Sequence, residues 1–114
     1  MNMHSVIALG TVGLILATFN AASAEGNAAA GPRKIAMCQG CHGIPGYRTA
    51  FPIVYSVPKI GGQHPGYIVK ALQAYKSGER SHPTMRAIAA DLSDQDMADV
   101  AAYYAAPDAK AAAR

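Results

Sequence analysis

Apolar positions repeat at helical spacing in two clear stretches of the chain. In the first, Tyr67, Ile68, Ala71, Leu72 and Tyr75 share a face, while Lys70, Gln73 and Lys76 fall elsewhere. Pro65 stands in the first turn, where its missing N–H costs nothing, and Gly78 supplies an end. In the second, Met97, Val100, Ala101 and Tyr104 form the stripe. Ser93 is its cap, Asp94 and Asp96 suit the positive helix end, and Pro107 closes it. A shorter helix is expected from Gly31-Pro32 through Met37 towards Cys38, broken by Gly40, Gly43, Pro45 and Gly46. From Gly43 to Gln63, Pro45, Pro52, Pro58 and the Gly61-Gly62 pair exclude a long helix. Phe51, Ile53, Val54, Tyr55 and Val57 fit a short strand, but an ordered loop packing against something large and flat is preferred. Glu79 to Thr84 reads as a polar loop.

The amino-terminal pattern is different. Val6 to Phe19 carries no charge and is followed by the small-residue site Ala22-Ser23-Ala24. That is the form of a secretory leader, residues 1–24, cleaved after Ala24 to leave one domain over 25–114. The run is short for a membrane span, although Met1 to His4 lacks Lys and Arg. An uncleaved anchor is the alternative.

Composition narrows the class. The 114 residues hold one domain, with no internal repeat. The 51% hydrophobic fraction is inflated by alanine, and there is no Trp and only two Phe, so the core is marginal without a staple, metal or cofactor. The formal net charge of +3 is scattered from Arg33 to Arg114, with no basic run and no recognisable nucleic-acid module.

Cys38-Gln39-Gly40-Cys41-His42 supplies the missing element. C-x-x-C-H is the attachment signature of c-type haem. Two thiols about a turn apart can add to two vinyl groups on one porphyrin edge, and the next histidine then lies under the ring with a nitrogen for iron. A disulfide at this spacing closes a very small loop and stabilises little. A thioredoxin-like pair needs a βαβ context, and a zinc site needs further ligands of the right type.

The second axial ligand must come from a distant segment. Met37 precedes Cys38 on the same helix and cannot reach the opposite face. Met97 lies on the apolar stripe, where methionine is usually core filler. His64 is at a helix start, in a solvent-facing cap role. Met85, expected in a loop after Pro83-Thr84, is the preferred ligand, with His82 as its rival.

Taken in order, the motifs are similar to those of the small bacterial class I cytochromes c, especially single domains of the cytochrome c-four type. The resemblance rests on Gly31, Cys38 to Gly43, Pro58-x-Ile60-x-Gly62-Gln63, Pro65-x-Tyr67-Ile68 and Leu72 to Tyr75. It continues through Met85-Arg86-x-Ile88-Ala89, Leu92-Ser93-Asp94-x-Asp96 and Ala101-x-Tyr103-Tyr104. It implies an all-α class I cytochrome c fold, several helices and ordered loops around one covalent haem c. It further implies attachment through Cys38 and Cys41, axial ligation by His42 and Met85, and a hydrogen bond from His42 to the Pro58 carbonyl. Gly31 would permit close crossing of the first and last helices near Tyr103 or Tyr104. The chain departs from the family between Gly43 and Val57, where Ile44-Pro45-Gly46-Tyr47 replaces the usual Asp-Gly start.

The expected function is single-electron transfer in the periplasm, at a positive potential, because two axial ligands leave iron no open site and thioether sulfur favours the reduced state. Redox proteins are the expected partners, with no nucleic acid and no small-molecule substrate. Lys59, Lys76, Arg80 and Arg86 are candidates for steering them. Two alternatives remain: a haem subunit held in a larger oxidoreductase, and an open-site peroxidase or gas sensor.

Overall fold

The computed structural model describes residues 24–51 and 53–107. The expected leader, apart from Ala24, lies outside the described residues, as does the tail after Pro107. A 3-10 turn, Ala28–Ala30, leads into α1 (Gly31–Lys34) and α2 (Ala36–His42). A hairpin of β1 (Arg48–Thr49) and β2 (Tyr55–Ser56) follows, then α3 (Pro65–Ser77), α4 (Pro83–Ala90) and α5 (Asp94–Ala105). The fold is the all-α class expected. The short antiparallel ladder, pairing Arg48 with Ser56 and Thr49 with Tyr55, pins part of the Gly43 to Gln63 segment without changing that class. No described helix is long and apolar enough to cross a membrane.

The helix ends follow from local chemistry. α3 begins at Pro65 and ends at Gly78, whose φ of +89° is open to glycine; the Gly78 and Arg80 amides both donate to the Ala74 carbonyl. α5 carries a full capping box: Ser93 Oγ accepts the Asp96 N–H at 3.1 Å and Asp96 Oδ2 accepts the Ser93 N–H at 3.0 Å. α5 then buries Met97, Ala98, Asp99, Val100, Ala101 and Tyr104. That stripe packs with Ile35, Ile68, Leu72 and Ala89 to make the core, against which Cys38, Ile60 and Met85 also rest.

Three expectations need correction. The first helix is not continuous, because Ile35 (φ −89°, ψ 0°) interrupts it and accepts the Cys38 and Gln39 amides at 2.8 and 2.9 Å to start α2. Gly40 does not break α2, which runs on to His42, since an isolated glycine weakens a helix without ending it. Met85 is not in a loop but in the first turn of α4, and the polar loop ends at His82. His82 and Pro83 form a cap and N1 pair there, and histidine is an unusual cap to read from sequence.

The amino-terminal lead-in is more firmly held than its composition suggests. A Cβ at Gly26 would collide with the Ala98 carbonyl, and Asn27 N–H donates to Asp99 Oδ1 at 2.8 Å. Gly31 is buried against Tyr103, and a Cβ there would strike the tyrosine side chain. The close crossing of first and last helices is therefore present, at Tyr103.

Candidate functional site

α2 brings Cys38, Cys41 and His42 together on two helical turns. Ile35, 1% exposed, roots the start of that helix in the core. Both cysteines are free thiols and half-buried. Burial against the core pushes the Cys38 thiol up from its ordinary value. At the other end, Gly43 N–H closes on Gln39 O at 3.0 Å, turning the chain away directly after His42.

His42 is oriented by a contact 16 residues along the chain: its Nδ1 lies 2.7 Å from the Pro58 carbonyl. The carbonyl can only accept, so Nδ1 carries the proton and donates, and Nε2 keeps its lone pair for another partner. The hairpin holds Pro58 in place. Val57 N–H donates to Tyr47 O at 2.9 Å, and Thr49 Oγ1 accepts the Tyr55 N–H at 3.1 Å. Beyond Pro58, Gly62 N–H donates to Tyr104 O at 2.7 Å, tying the same segment to α5.

Met85 is partly buried, its side chain against the core and its N–H donating to His82 Nδ1 at 3.3 Å. The other candidates are disposed differently. Met97 is fully buried in the core, as the stripe predicted, and Met37 is 70% exposed. His64 caps α3 by backbone position only, its side chain exposed and making no cap bond. Among the candidate docking cations, Lys76 Nζ donates to Leu92 O at 2.5 Å and Arg80 lies over the Tyr75 ring at 5.0 Å. Lys59 and Arg86 are exposed.

One cluster escaped the sequence reading. Lys34 Nζ bridges Asp99 Oδ2 at 2.5 Å and Asp96 Oδ1 at 2.7 Å, and Gln95 Nε2 donates to Asp99 Oδ1 at 2.9 Å. Hydrogen bonds from Lys34, then from Asn27 and Gln95, lower the Asp99 carboxyl to about 2, and the Lys34 and Ser93 bonds hold Asp96 lower still. The available signal was Asp99 lying within the apolar stripe of α5, where a charge needs a partner. This cluster joins α1 to α5 and is structural.

The donor set fits a haem and not a bare ion. Among the described residues no group of three or more His, Cys, Asp or Glu could hold a metal alone. Ile44, Phe51, Ile53, Val54, Tyr55 and Tyr67 leave large apolar side chains exposed, Phe51 at 87%, and all but Tyr67 lie in the segment between Gly43 and Val57. The Tyr104 hydroxyl is buried with no hydrogen-bond partner among the described residues, and burial raises its pKa strongly.

The comparisons with known proteins agree. The cytochrome c family model matches residues 28–105. Cytochrome c4 of Pseudomonas aeruginosa is 41% identical, over 92% of this chain and 48% of its own length. Cytochrome c-554(548) of Halomonas halodenitrificans is 41% identical over 73% of this chain and 99% of its length. A thiosulfate dehydrogenase electron acceptor of Stutzerimonas stutzeri is 36% identical over 82% and 44%. The chain thus spans about half the length of the cytochrome c4 relatives it matches. On these matches the chain belongs to the cytochrome c family, a class I c-type cytochrome of the c4 type with covalent haem c as its cofactor.

Proposed function

We propose that this chain is a single-electron carrier of the periplasm, with Cys38 and Cys41 holding the haem and His42 Nε2 and Met85 Sδ as its axial ligands. The observation that carries the reading is the 2.7 Å bond from His42 Nδ1 to Pro58 O, which fixes the tautomer and leaves Nε2 its lone pair, on the residue that follows Cys41 in the chain. When bound, the haem supplies reversible one-electron chemistry. The chain's residues do the rest. Cys38 and Cys41 would hold the group through thioether links to its two vinyl groups. Pro58 makes the His42 ring a better donor and stops it turning. Met85 would hold the iron through its thioether, which would keep exogenous ligands out and raise the potential. Residues 1–24 direct export and are removed by cleavage after Ala24.

Intact-mass spectrometry of protein from the periplasm tests attachment and leader removal together. The expected mass is that of residues 25–114 plus one haem; a haem-free polypeptide, or pigment extracted into acidic organic solvent, overturns the reading.

A second reading has a specific support: one relative is named as the electron acceptor of a thiosulfate dehydrogenase. In that reading the chain is a standing subunit of an oxidoreductase. Size-exclusion chromatography of the native protein separates the two, a free carrier eluting as a small monomer. In both readings Lys59 and Arg86 steer an acidic partner. Electron-transfer rates should therefore fall as ionic strength rises, and rates independent of salt would remove that role.

A further inference from the structure

His82 is tied to more than the helix it caps. Its Nδ1 accepts the Met85 N–H at 3.3 Å and its carbonyl accepts the Arg86 N–H at 2.9 Å, so it holds the first turn of α4 at two points. Its ring is packed from outside that helix. The centroid lies 4.5 Å from Tyr55 on β2 and 6.3 Å from Tyr75 on α3, the second contact edge-on. Arg80 lies over that same Tyr75 ring. Ser, Thr, Asp or Asn caps a helix better than histidine but brings no ring to pack, so the choice of histidine here answers both needs at once.

The strand that meets His82 also reaches the other ligand. Tyr55 touches the His82 ring, and Pro58, three residues on, accepts the hydrogen bond from His42. One extended segment therefore backs the cap of the Met85 turn at one end and the His42 imidazole at the other. We infer that His82 is a positioning residue for the Met85 thioether, its cap bond fixing the turn that carries Met85 while Tyr55 and Tyr75 fix the ring. The inference rests on the reading of Met85 as an axial ligand. An iron–thioether bond is weak by itself, so the time Met85 spends off the iron depends on how firmly its turn is held. Losing one helix cap should raise that open fraction about fivefold.

Cyanide binding to the ferric holoprotein reads the open fraction, because cyanide enters only when the thioether leaves. The expected result for His82→Ala is about fivefold faster binding, with the near-infrared iron–thioether band retained. His82→Asn, which keeps a capping side chain, should bring the rate back towards wild type. If His82→Ala does not accumulate, His82→Gln, of similar bulk and poor as a cap, takes its place with the same expectation. A wild-type rate in the uncapped variant overturns the inference, as does a His82→Asn rate no slower than that of the uncapped variant. The Met85 reading fails separately: it is sunk by a wild-type spectrum without the thioether band, or by Met85→Ala keeping it.

Discussion

Two methionines of this chain have opposite tasks, and their surroundings show why. Met97 is fully buried, in the core cluster with Val100, Ala101, Ile68 and Leu72. Met85 is only partly buried and sits where the core meets its edge. Met97→Ala should therefore cost about 2–5 kcal/mol in urea unfolding of the holoprotein and leave the haem spectrum alone. A shifted spectrum in that variant would mean Met97 and not Met85 meets iron. At this scale the proposed attachment residues were legible because Cys38, Cys41 and His42 stand in C-x-x-C-H spacing within one short stretch. The turn that carries Met85 was not legible, since its cap is an imidazole and not one of the side chains that mark helix starts.

Among the elements, α5 was read almost completely, from Ser93 and Asp96 at its start to the stripe it buries. Its periodicity is regular and its cap uses the preferred residue types. What the pattern concealed was the other use of Asp96, and of Asp99: both reach Lys34 on α1. That contact depends on how two helices cross, which no local pattern encodes. The crossing itself needs Gly31 beneath Tyr103. The cluster gives the fold a pH dependence of definite sign. Asp99 titrates near 2 in the fold against 3.8 as the ordinary value, and Asp96 is also depressed. Their stabilisation is complete above about pH 4 and is lost as pH falls towards and below 2. The raised Lys34 contributes in the opposite sense, its share lost only as pH climbs beyond its ordinary 10.5. Urea midpoints measured from pH 5 down to about pH 2 should fall steeply for wild type and less steeply for Asp99→Asn. Parallel curves would show that the Asp99 carboxylate does not carry the acid sensitivity.

The molecule as a whole has a small core and many apolar side chains left in water, with Phe51, Ile53 and Val54 each more than half exposed. A porphyrin supplies the large flat apolar surface that such a loop lacks, and packing the loop against it takes that apolar surface out of water. Cys38→Ala/Cys41→Ala protein, purified without haem, should thus show weak helical circular dichroism and no cooperative melt; a sharp melt would show that the polypeptide folds unaided. The hairpin of β1 and β2 was the least legible region, because short apolar runs do not distinguish strand from loop. The central claim is a closed iron site with His42 and Met85 as its two ligands, and a spectroelectrochemical titration of wild type beside Met85→Ala tests it most directly. Wild type should show the near-infrared thioether band and a positive midpoint potential, while Met85→Ala should lose the band and titrate at a lower potential. The same band and the same potential in both proteins would contradict the account.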